Sequence, residues 1–317
     1  MAVAEITLRD GEAAGDLWDR PIFGVTLVDH DTPATREIRW LHATTRDVDR
    51  IWPSDAGDRT VDLRFPDGKL FMAVEHAAGT GYMVRAPRFG RHVVSADGRT
   101  ITSALPRIAP WRWERLFLAQ VLPLAAALNG LEVFHASAVG IGGRVFAFVG
   151  TSGVGKTSTA AHLVTRGADF VTDDVLALEV KDGRVLAHPG APRLSIDAAE
   201  VRRMPTDIRS RLGPLLGTFE KRQFAPPRAD VPRQLRAVYF LTRARSGPTI
   251  VEVDEPRRLL GASFIPHLRS SARLMTHLDI CAHVARTAQT FVIEVPSGCY
   301  ADEVATLVYE HADGLRS

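Results

Sequence analysis

The chain has 317 residues and a hydrophobic content of 45%, which is enough for two domains with buried cores. Its 39 Lys and Arg residues nearly balance its 37 Asp and Glu residues, so we expect no nucleic-acid partner and no membrane attraction. Cys281 and Cys299 are the only cysteines and lack C-x-x-C spacing, which argues against disulfides and zinc and favours the cytoplasm. Residues 1–6 carry no signal-peptide pattern, and no apolar run approaches the roughly 18 residues of a membrane span.

Short β-type runs separated by turn signals dominate the first hundred residues. They are Phe23–Val28, Thr60–Phe65, Leu70–Val74, Gly81–Arg85 and His92–Ser95. This pattern predicts a mainly β N-terminal domain over residues 1–108, built on an antiparallel sheet that packs on one face. No catalytic constellation is recognisable there, so we expect a role in recognition or as a scaffold.

A helical pattern follows from Pro110 and ends at Asn129-Gly130. Its apolar residues recur at helical spacing, and Pro123 interrupts it, which predicts a kink or a division into two pieces. We interpret residues 109–130 as a connecting helix that packs and carries no chemistry.

Two apolar runs, 136–141 and 144–149, flank Gly142-Gly143. A Gly-Gly pair suits a two-residue type I′ turn, in which both central residues take positive φ. The implied register pairs residue 141 with 144 and continues down to His135 opposite Gly150. The sequence therefore predicts an antiparallel hairpin that places His135 beside the segment that follows it.

Residues 150 to 157 read G-T-S-G-V-G-K-T, which matches the G-x-x-x-x-G-K-[ST] phosphate-binding loop (P-loop, or Walker A motif). A β-rich run precedes it and a helical segment from Lys156 to Arg166 follows, as this motif requires. Backbone N–H groups would cradle phosphates, Lys156 would reach the β- and γ-phosphates, and the Thr157 hydroxyl would bind Mg²⁺. The expected ATP-binding residues are Gly150, Thr151, Ser152, Gly153, Val154, Gly155, Lys156, Thr157 and Ser158.

The next predicted strand, 169–172, ends in Asp173-Asp174. A short helical connection should return this strand next to the loop strand, with its carboxyl end at the phosphate edge of the sheet. Carboxylates there can hold Mg²⁺ or accept a proton from an attacking hydroxyl. Strand alternation turns only one of the two towards the phosphates unless the strand breaks there. The alternative is an Asx turn with solvated carboxylates.

Further strands are predicted at Val175–Val180, Arg184–His188, Ala237–Leu241, Thr249–Val253 and Phe291–Val295, with helices near 270–288 and from about 301. The segment 193–222 is rich in Arg and Lys. We expect it to supply at least one cation against the charge of a γ-phosphate, with Lys221, Arg222 and Arg193 as the candidates and a solvated loop as the alternative.

His135, the hairpin, the P-loop, the helix ending Arg166-Gly167 and the strand end Val171-Thr172-Asp173-Asp174 together resemble the catalytic core of the HPr kinase/phosphorylase family. The resemblance covers residues 131–178. It implies an α/β fold in which residues 131–317 form a P-loop kinase domain similar to phosphoenolpyruvate carboxykinase. It also implies transfer of phosphate from ATP, with Mg²⁺, to a serine of a protein or peptide.

The resemblance further implies catalytic roles for Asp173, Asp174 and His135, and metal binding by Thr157 and Asp174. His135 would assist one of the two carboxylates, and alternation alone leaves open which aspartate is the base. Ser158 stands where the bifunctional enzymes usually carry Glu, and their second signature is not found. Phosphorylase activity and HPr as acceptor are therefore not carried over, and the chain is more similar to divergent HPr-kinase-related proteins of bacterial biosynthetic clusters.

We therefore interpret the sequence as an ATP-dependent kinase acting on a peptide or small-protein acceptor. Two alternatives remain open: a small-molecule kinase, and a non-catalytic nucleotide-binding regulatory module. The sequence also leaves open the oligomeric state, including a homo-oligomer.

Overall fold

A computed structural model describes residues 15–52, 57–218, 220–245, 247–255, 257–268 and 270–315. Residues 1–6, which carry no signal-peptide pattern in the sequence, lie outside these residues. The described residues fall into two compact units, one within 15–131 together with 265–273 and the other within 132–264 together with 274–315. No helix in the described ranges is long and apolar enough to cross a membrane.

The first unit is built on a seven-stranded sheet. Its elements are α1 (Gly15–Trp18), β1 (Thr26–Val28), β2 (Glu37–His42), α2 (Thr45–Ile51), β3 (Asp58–Arg64), β4 (Leu70–Ala77), β5 (Gly81–Ala86), β6 (Gly90–Ser95), β7 (Thr100–Ala104), α3 (Pro110–Leu116) and α4 (Leu122–Leu128). The strand order is β1-β2-β7-β6-β5-β4-β3. All neighbours from β7 to β3 pair antiparallel, and β2 pairs parallel with β1 and β7, so the mainly antiparallel sheet is confirmed.

Two details of this unit differ from the sequence prediction. The run from Phe23 begins in a turn, because Phe23 and Gly24 take φ of 54° and 78° and an isolated bridge joins Ile22 to Val25. The strands β2 and β7 and the helix α2 were not predicted. The helix α2 carries a capping box, in which the Thr44 side chain accepts from the Asp47 N–H and the Asp47 side chain accepts from the Thr44 N–H.

The proline in the connecting helix is accommodated by a change in helical pitch. Between α3 and α4, Phe117–Val121 forms a π-helical segment, and the Leu122 N–H donates to the Phe117 carbonyl. Pro123 therefore lies in the first turn of α4, where a missing N–H costs little. The predicted interruption at Pro123 is confirmed.

The second unit contains an eight-stranded sheet and a three-stranded sheet. Its strands are β8 (Glu132–Ile141), β9 (Arg144–Val149), β10 (Asp169–Thr172), β11 (Val175–Lys181), β12 (Arg184–His188), β13 (Leu194–Asp197), β14 (Leu215–Thr218), β15 (Lys221–Phe224), β16 (Arg233–Ala244), β17 (Thr249–Glu252) and β18 (Gln289–Pro296). Its helices are α5 (Lys156–Thr165), α6 (Ala198–Arg203), α7 (Thr206–Arg209), α8 (Arg257–Leu260), α9 (Ser271–Thr287) and α10 (Ala301–Gly314).

The hairpin of β8 and β9 has the predicted register. Ile141 pairs with Arg144 and the ladder runs down to Ala136 with Val149. Gly142 and Gly143 have φ of 58° and 77°, as a type I′ turn requires. Alternate residues of β9 enter two separate hydrophobic cores, since Phe146 and Phe148 join one cluster and their neighbours Val145, Ala147 and Val149 join another. The hairpin thus forms the centre of the unit with both faces buried.

The strand that precedes the aspartate pair does not lie next to the loop strand, so that part of the prediction is wrong. β10 pairs antiparallel with β8, and β8 separates β10 from β9. Because β8 runs antiparallel to both, β9 and β10 point the same way and end at the same edge of the sheet. The short connection through α5 therefore passes over β8, the hairpin strand that lies between β9 and β10. The aspartates still reach the edge where the P-loop begins.

Candidate active site

The P-loop residues form a tight turn between β9 and α5. Gly155 is the N-cap of α5 with φ of 116°, a left-handed conformation that glycine adopts without strain. A Cβ added there would meet no atom within 4 Å, so backbone conformation and not crowding requires glycine. Thr151, Ser152 and Gly153 are exposed, whereas Val154 is buried in the core. The loop is therefore anchored from inside and open towards solvent.

Lys156 is the first residue of α5, and its side chain turns back into the loop. The Nζ atom donates to the Gly150 carbonyl at 2.8 Å and lies 3.4 Å from the Thr151 carbonyl and 3.2 Å from His135 Nε2. Only 6% of Lys156 is exposed. Burial lowers its pKa, the charge of Lys221 lowers it further, and the carboxylates of Asp174 and Asp173 oppose both effects.

The prediction that His135 lies near both the P-loop and the aspartates is confirmed. Its Nε2 contacts Lys156, and its Nδ1 lies 3.2 Å from the main-chain carbonyl of Asp174. A carbonyl only accepts and an ammonium only donates, so these partners assign the proton to Nδ1 and a lone pair to Nε2. Burial and then the charge of Lys156 lower the pKa of His135, which favours this neutral form.

The expectation that His135 contacts a carboxylate is corrected, because the Asp174 atom that its ring meets is the main-chain oxygen. The reason lies in the register of β8 with β11, which places His135 opposite Val175, the residue after Asp174. His135 therefore holds Lys156 and the aspartate turn together instead of bonding an aspartate side chain.

The strand breaks at the aspartate pair, so strand alternation does not govern it. β10 ends at Thr172 and β11 begins at Val175. Between them the Val175 N–H donates to the Asp173 carbonyl at 2.8 Å, and Asp174 takes φ of 64°, which describes a tight γ-turn. A non-glycine residue in this conformation is strained, and such strain concentrates at functional sites. The turn releases both carboxylates from the alternating pattern.

Of the two carboxylates, Asp173 is the one that two neighbouring hydroxyls hold by hydrogen bonds. Its Oδ1 accepts from the Ser137 hydroxyl at 2.6 Å and from the Thr157 hydroxyl at 2.9 Å. Burial and then the charge of Asp174 raise the pKa of Asp173 to about 7, while hydrogen bonds from Ser137, Thr157 and the Ser195 backbone act in the opposite direction. Asp174 is exposed at the apex of the turn.

Thr157 and Ser158 lie half-buried in the first turn of α5. The carboxylate that contacts Thr157 is that of Asp173, whereas Asp174 was the residue expected to share a metal with it. The pairing follows from the γ-turn, which turns Asp173 towards α5 and leaves Asp174 at the exposed apex.

Three residues near the site were missed by sequence reasoning. Ser137 lies two positions after His135 on β8, and this period-two placement of polar residues in an apolar strand was a readable signal. Ser195 reaches Asp173 through its backbone, so its side-chain identity gave no signal. Arg243, at the end of β16, donates to the Gly153 carbonyl at 2.7 Å, and nothing in its sequence context marks it.

The donor set fits ATP and Mg²⁺. Mg²⁺ prefers oxygen ligands and commonly uses one or two protein groups together with phosphate oxygens. The Thr157 hydroxyl and the Asp173 carboxylate provide such a pair 2.9 Å apart at the start of α5. No group of three or more His, Cys, Asp or Glu residues suited to a metal is present in the described ranges, so an all-protein cage is not the arrangement found there.

Comparison with known proteins gives a partial match to one family. No protein-family model matches the chain. Over 87 residues, or 27% of this chain, it is 34% identical to HPr kinase/phosphorylase of two Clostridium botulinum strains and of Clostridium beijerinckii. The matched stretch spans about a quarter (26%) of those relatives' own length. Over that stretch the chain is therefore similar to HPr kinase/phosphorylase, in agreement with the motifs described above.

Among solved structures, the chain is similar to the HPr(Ser) kinase/phosphatase from Coxiella burnetii at 13% sequence identity. The superposition covers 59% of this chain and 99% of that chain, with a TM-score of 0.33. At that TM-score it supports no conclusion about fold or function. The mixed α/β architecture rests on the elements described above.

Proposed function

We propose that the protein is an ATP-dependent phosphotransferase that transfers the γ-phosphate to a hydroxyl, most simply a serine of a peptide or small protein. The observation that carries this proposal is a pair of hydrogen bonds. The Asp173 carboxylate accepts both from the Thr157 hydroxyl, in the first turn of α5, and from the Ser137 hydroxyl on β8. A solvated Asx turn would not be bonded to the hydroxyl of a P-loop threonine. The relationship to HPr kinase/phosphorylase supports the same chemistry.

In the proposed mechanism the P-loop and Lys156 would bind the phosphates of ATP, while Thr157 and Asp173 would hold Mg²⁺. Mg-ATP, when bound, would supply the phosphoryl group and a metal charge against the charge that develops during transfer. Asp174, exposed at the apex of the turn, accepts the proton of the acceptor hydroxyl. His135 is a positioning residue, because its two nitrogens join Lys156 to the backbone of Asp174.

The two alternatives, a small-molecule kinase and a regulatory module, differ from this proposal in what, if anything, receives the phosphate. A small-molecule kinase would use the same carboxylates on a metabolite, and a regulatory module would bind nucleotide without transfer. The exposed position of Asp174 favours transfer to a large acceptor, because a peptide can approach a carboxylate at the surface. We also propose that residues 1–108 serve in recognition or as a scaffold, that 109–130 connect, and that 131–317 carry the catalytic chemistry.

The test separates binding from transfer in two single variants, Asp173→Asn and Asp174→Asn. Each is assayed for Mg-ATP binding by calorimetry and for phosphate transfer to a peptide library with a fixed serine. Asp182→Asn is a matched control, because Asp182 is also an exposed aspartate in a turn with positive φ, 52° against 64° for Asp174. It lies at the opposite end of β11 from the P-loop.

Asp174→Asn should keep Mg-ATP affinity and lose transfer by roughly 10²–10⁴-fold, the usual effect of removing a general base. Asp173→Asn should lose the Mg²⁺ dependence of ATP binding, since it removes a metal ligand. Asp182→Asn should change neither. Normal binding and transfer in both test variants would show that the aspartate pair is a solvated turn. ATP binding without transfer to any serine peptide by the wild-type protein would favour the two alternatives.

A further inference from the structure

A half-buried phenylalanine lies beside the histidine of the candidate site. The ring of Phe264 stacks on the ring of His135, with centroids 5.9 Å apart and an angle of 24° between the planes. Because the two rings stack, both side chains lie on the same side of β8. Ser137, two positions after His135 on this strand, lies on that side too, and its hydroxyl donates to the Asp173 carboxylate at 2.6 Å. Phe264 therefore faces the same side of the sheet as the candidate site.

Backbone hydrogen bonds hold Phe264 in this position. β11, which follows the turn at Asp174, pairs with one edge of β8. At the other edge the His135 N–H donates to the Ala262 carbonyl at 2.7 Å. The Phe264 N–H then donates to the Val133 carbonyl at 3.0 Å. The order across β8 is therefore the aspartate turn, His135 in the centre, and Phe264 at the opposite edge.

The two ends of this row are open to solvent. Asp174 is exposed, and part of the Phe264 ring is exposed as well. Neighbouring strands lie about 4.8 Å apart, so the step across β8 from the aspartate turn to Phe264 is about 10 Å. An extended peptide covers this distance in about three residues, at roughly 3.3 Å per residue. A peptide with its serine at Asp174 can therefore place a nearby side chain on Phe264.

We propose that Phe264 contacts an apolar side chain of the acceptor peptide within about three residues of the serine. This inference rests on the proposed function, since it requires that a serine peptide receives phosphate beside Asp174. Covering the exposed part of an aromatic ring with an apolar side chain removes apolar surface from water, which favours binding. A charged side chain at that position would lose hydration without gaining a partner. Phe264 is thus a specificity-determining residue for the acceptor.

The experiment measures phosphate transfer from Mg-ATP to serine peptides in which each position near the serine is Leu, Phe, Ala or Asp in turn. The wild-type protein should prefer Leu or Phe over Ala at one position by roughly tenfold in kcat/KM, the lower end for an apolar contact because the ring is only half-buried. Phe264→Ser should remove this preference and leave the affinity for Mg-ATP and the transfer to the Ala peptide within about twofold. Phe264→Tyr, which keeps the ring, should retain the preference.

A second measurement locates the contact without any variant. A peptide that carries p-benzoylphenylalanine at the preferred position is irradiated with the wild-type protein and a non-hydrolysable Mg-ATP analogue. Mass spectrometry should find the crosslink within residues 260–264. Crosslinks confined to other segments would overturn the inference, whether or not Phe264→Ser folds.

The outcomes distinguish this inference from the proposed function. If the wild-type protein transfers phosphate to no serine peptide, both fail. If it transfers without a preference for an apolar neighbour, or if Phe264→Ser keeps that preference, only the inference is overturned. A folded Phe264→Ser that loses affinity for Mg-ATP would show that the ring contacts the nucleotide. An equal loss of transfer to all peptides would show that the ring only holds His135, and either result overturns the inference.

Discussion

Replacing Asp173 by Asn should make folding stability less sensitive to pH. In the folded chain the pKa of Asp173 is raised to about 7 from its ordinary value of 3.8, first by burial and then by the charge of Asp174. Between those values the folded state holds one more proton than the unfolded state, so stability is lost as pH rises. This loss amounts to about 1.4 kcal/mol per pH unit.

Between pH 5 and pH 8, stability is lost only up to the folded-state pKa of about 7, which is a span of two pH units. The total loss of folding stability is therefore at most ~3 kcal/mol. Relaxation around the ionised carboxylate reduces it, so we expect ~1–3 kcal/mol. Asn has the same shape and no charge, so the stability of Asp173→Asn relative to wild type should rise by this amount between pH 5 and pH 8. Any constant cost of the substitution cancels in that comparison.

The assay is calorimetric unfolding of wild type and variant at both pH values. Tryptophan fluorescence would not suffice, because all five tryptophans lie before residue 114, in the first unit. Asp174→Asn is the matched control. It removes the charge that helps raise the pKa of Asp173, so the pH-dependent loss should shrink and end at a lower pH without disappearing. An unchanged difference between wild type and Asp173→Asn at the two pH values would refute the reasoning.

Three further predictions follow from contacts in the second unit. Lys156→Ala should weaken ATP binding and abolish transfer, and wild-type turnover in that variant, measured with a serine peptide, would contradict the assignment. Ser137→Ala removes a hydrogen bond that lowers the pKa of Asp173, so the acid limb of the pH profile for Mg²⁺-dependent ATP binding should move to higher pH by about one unit. Glu132→Leu removes the buried acceptor that lies 2.8 Å from His277 Nδ1 and should lower the free energy of unfolding by ~3 kcal/mol in urea titrations.

The hairpin could be predicted to the residue because local chemistry determines it. Gly142-Gly143 restricts the turn to a conformation that few other pairs adopt, and a two-residue turn then sets the register of both strands. The position of His135 followed from that register. Local signals also identified the ends of the P-loop helix, since the motif fixes where α5 begins and Gly167 marks where it ends.

The neighbour of β10 could not be predicted, because sheet order is a long-range property. A short connection through α5 is compatible with a return beside β9 or with a step over one strand. β8, the hairpin partner of β9, already pairs with one edge of β9, and β10 pairs with the other edge of β8. This order is seen only in the assembled sheet. The segment Ala262–Phe264 is a second case, since it pairs with β8 near His135 although more than a hundred residues separate them.

The contact between Thr157 and Asp173 depends on the break between β10 and β11, where the alternation of side chains along a strand no longer applies. Regular alternation would have sent one carboxylate to each face of the sheet. The γ-turn at Asp174 replaces that pattern, and its strain is supported by hydrogen bonds on both sides: the Thr172 hydroxyl donates to the Val175 carbonyl at 2.5 Å, and His135 contacts the Asp174 carbonyl. The same turn allows the two carboxylates different tasks, because one is held against the P-loop threonine and the other is left at the surface. A sequence rule that assumes a continuous strand would miss this difference between the two carboxylates. The phosphoryl transfer proposed above would use it, since one group would hold a metal while another accepts a proton.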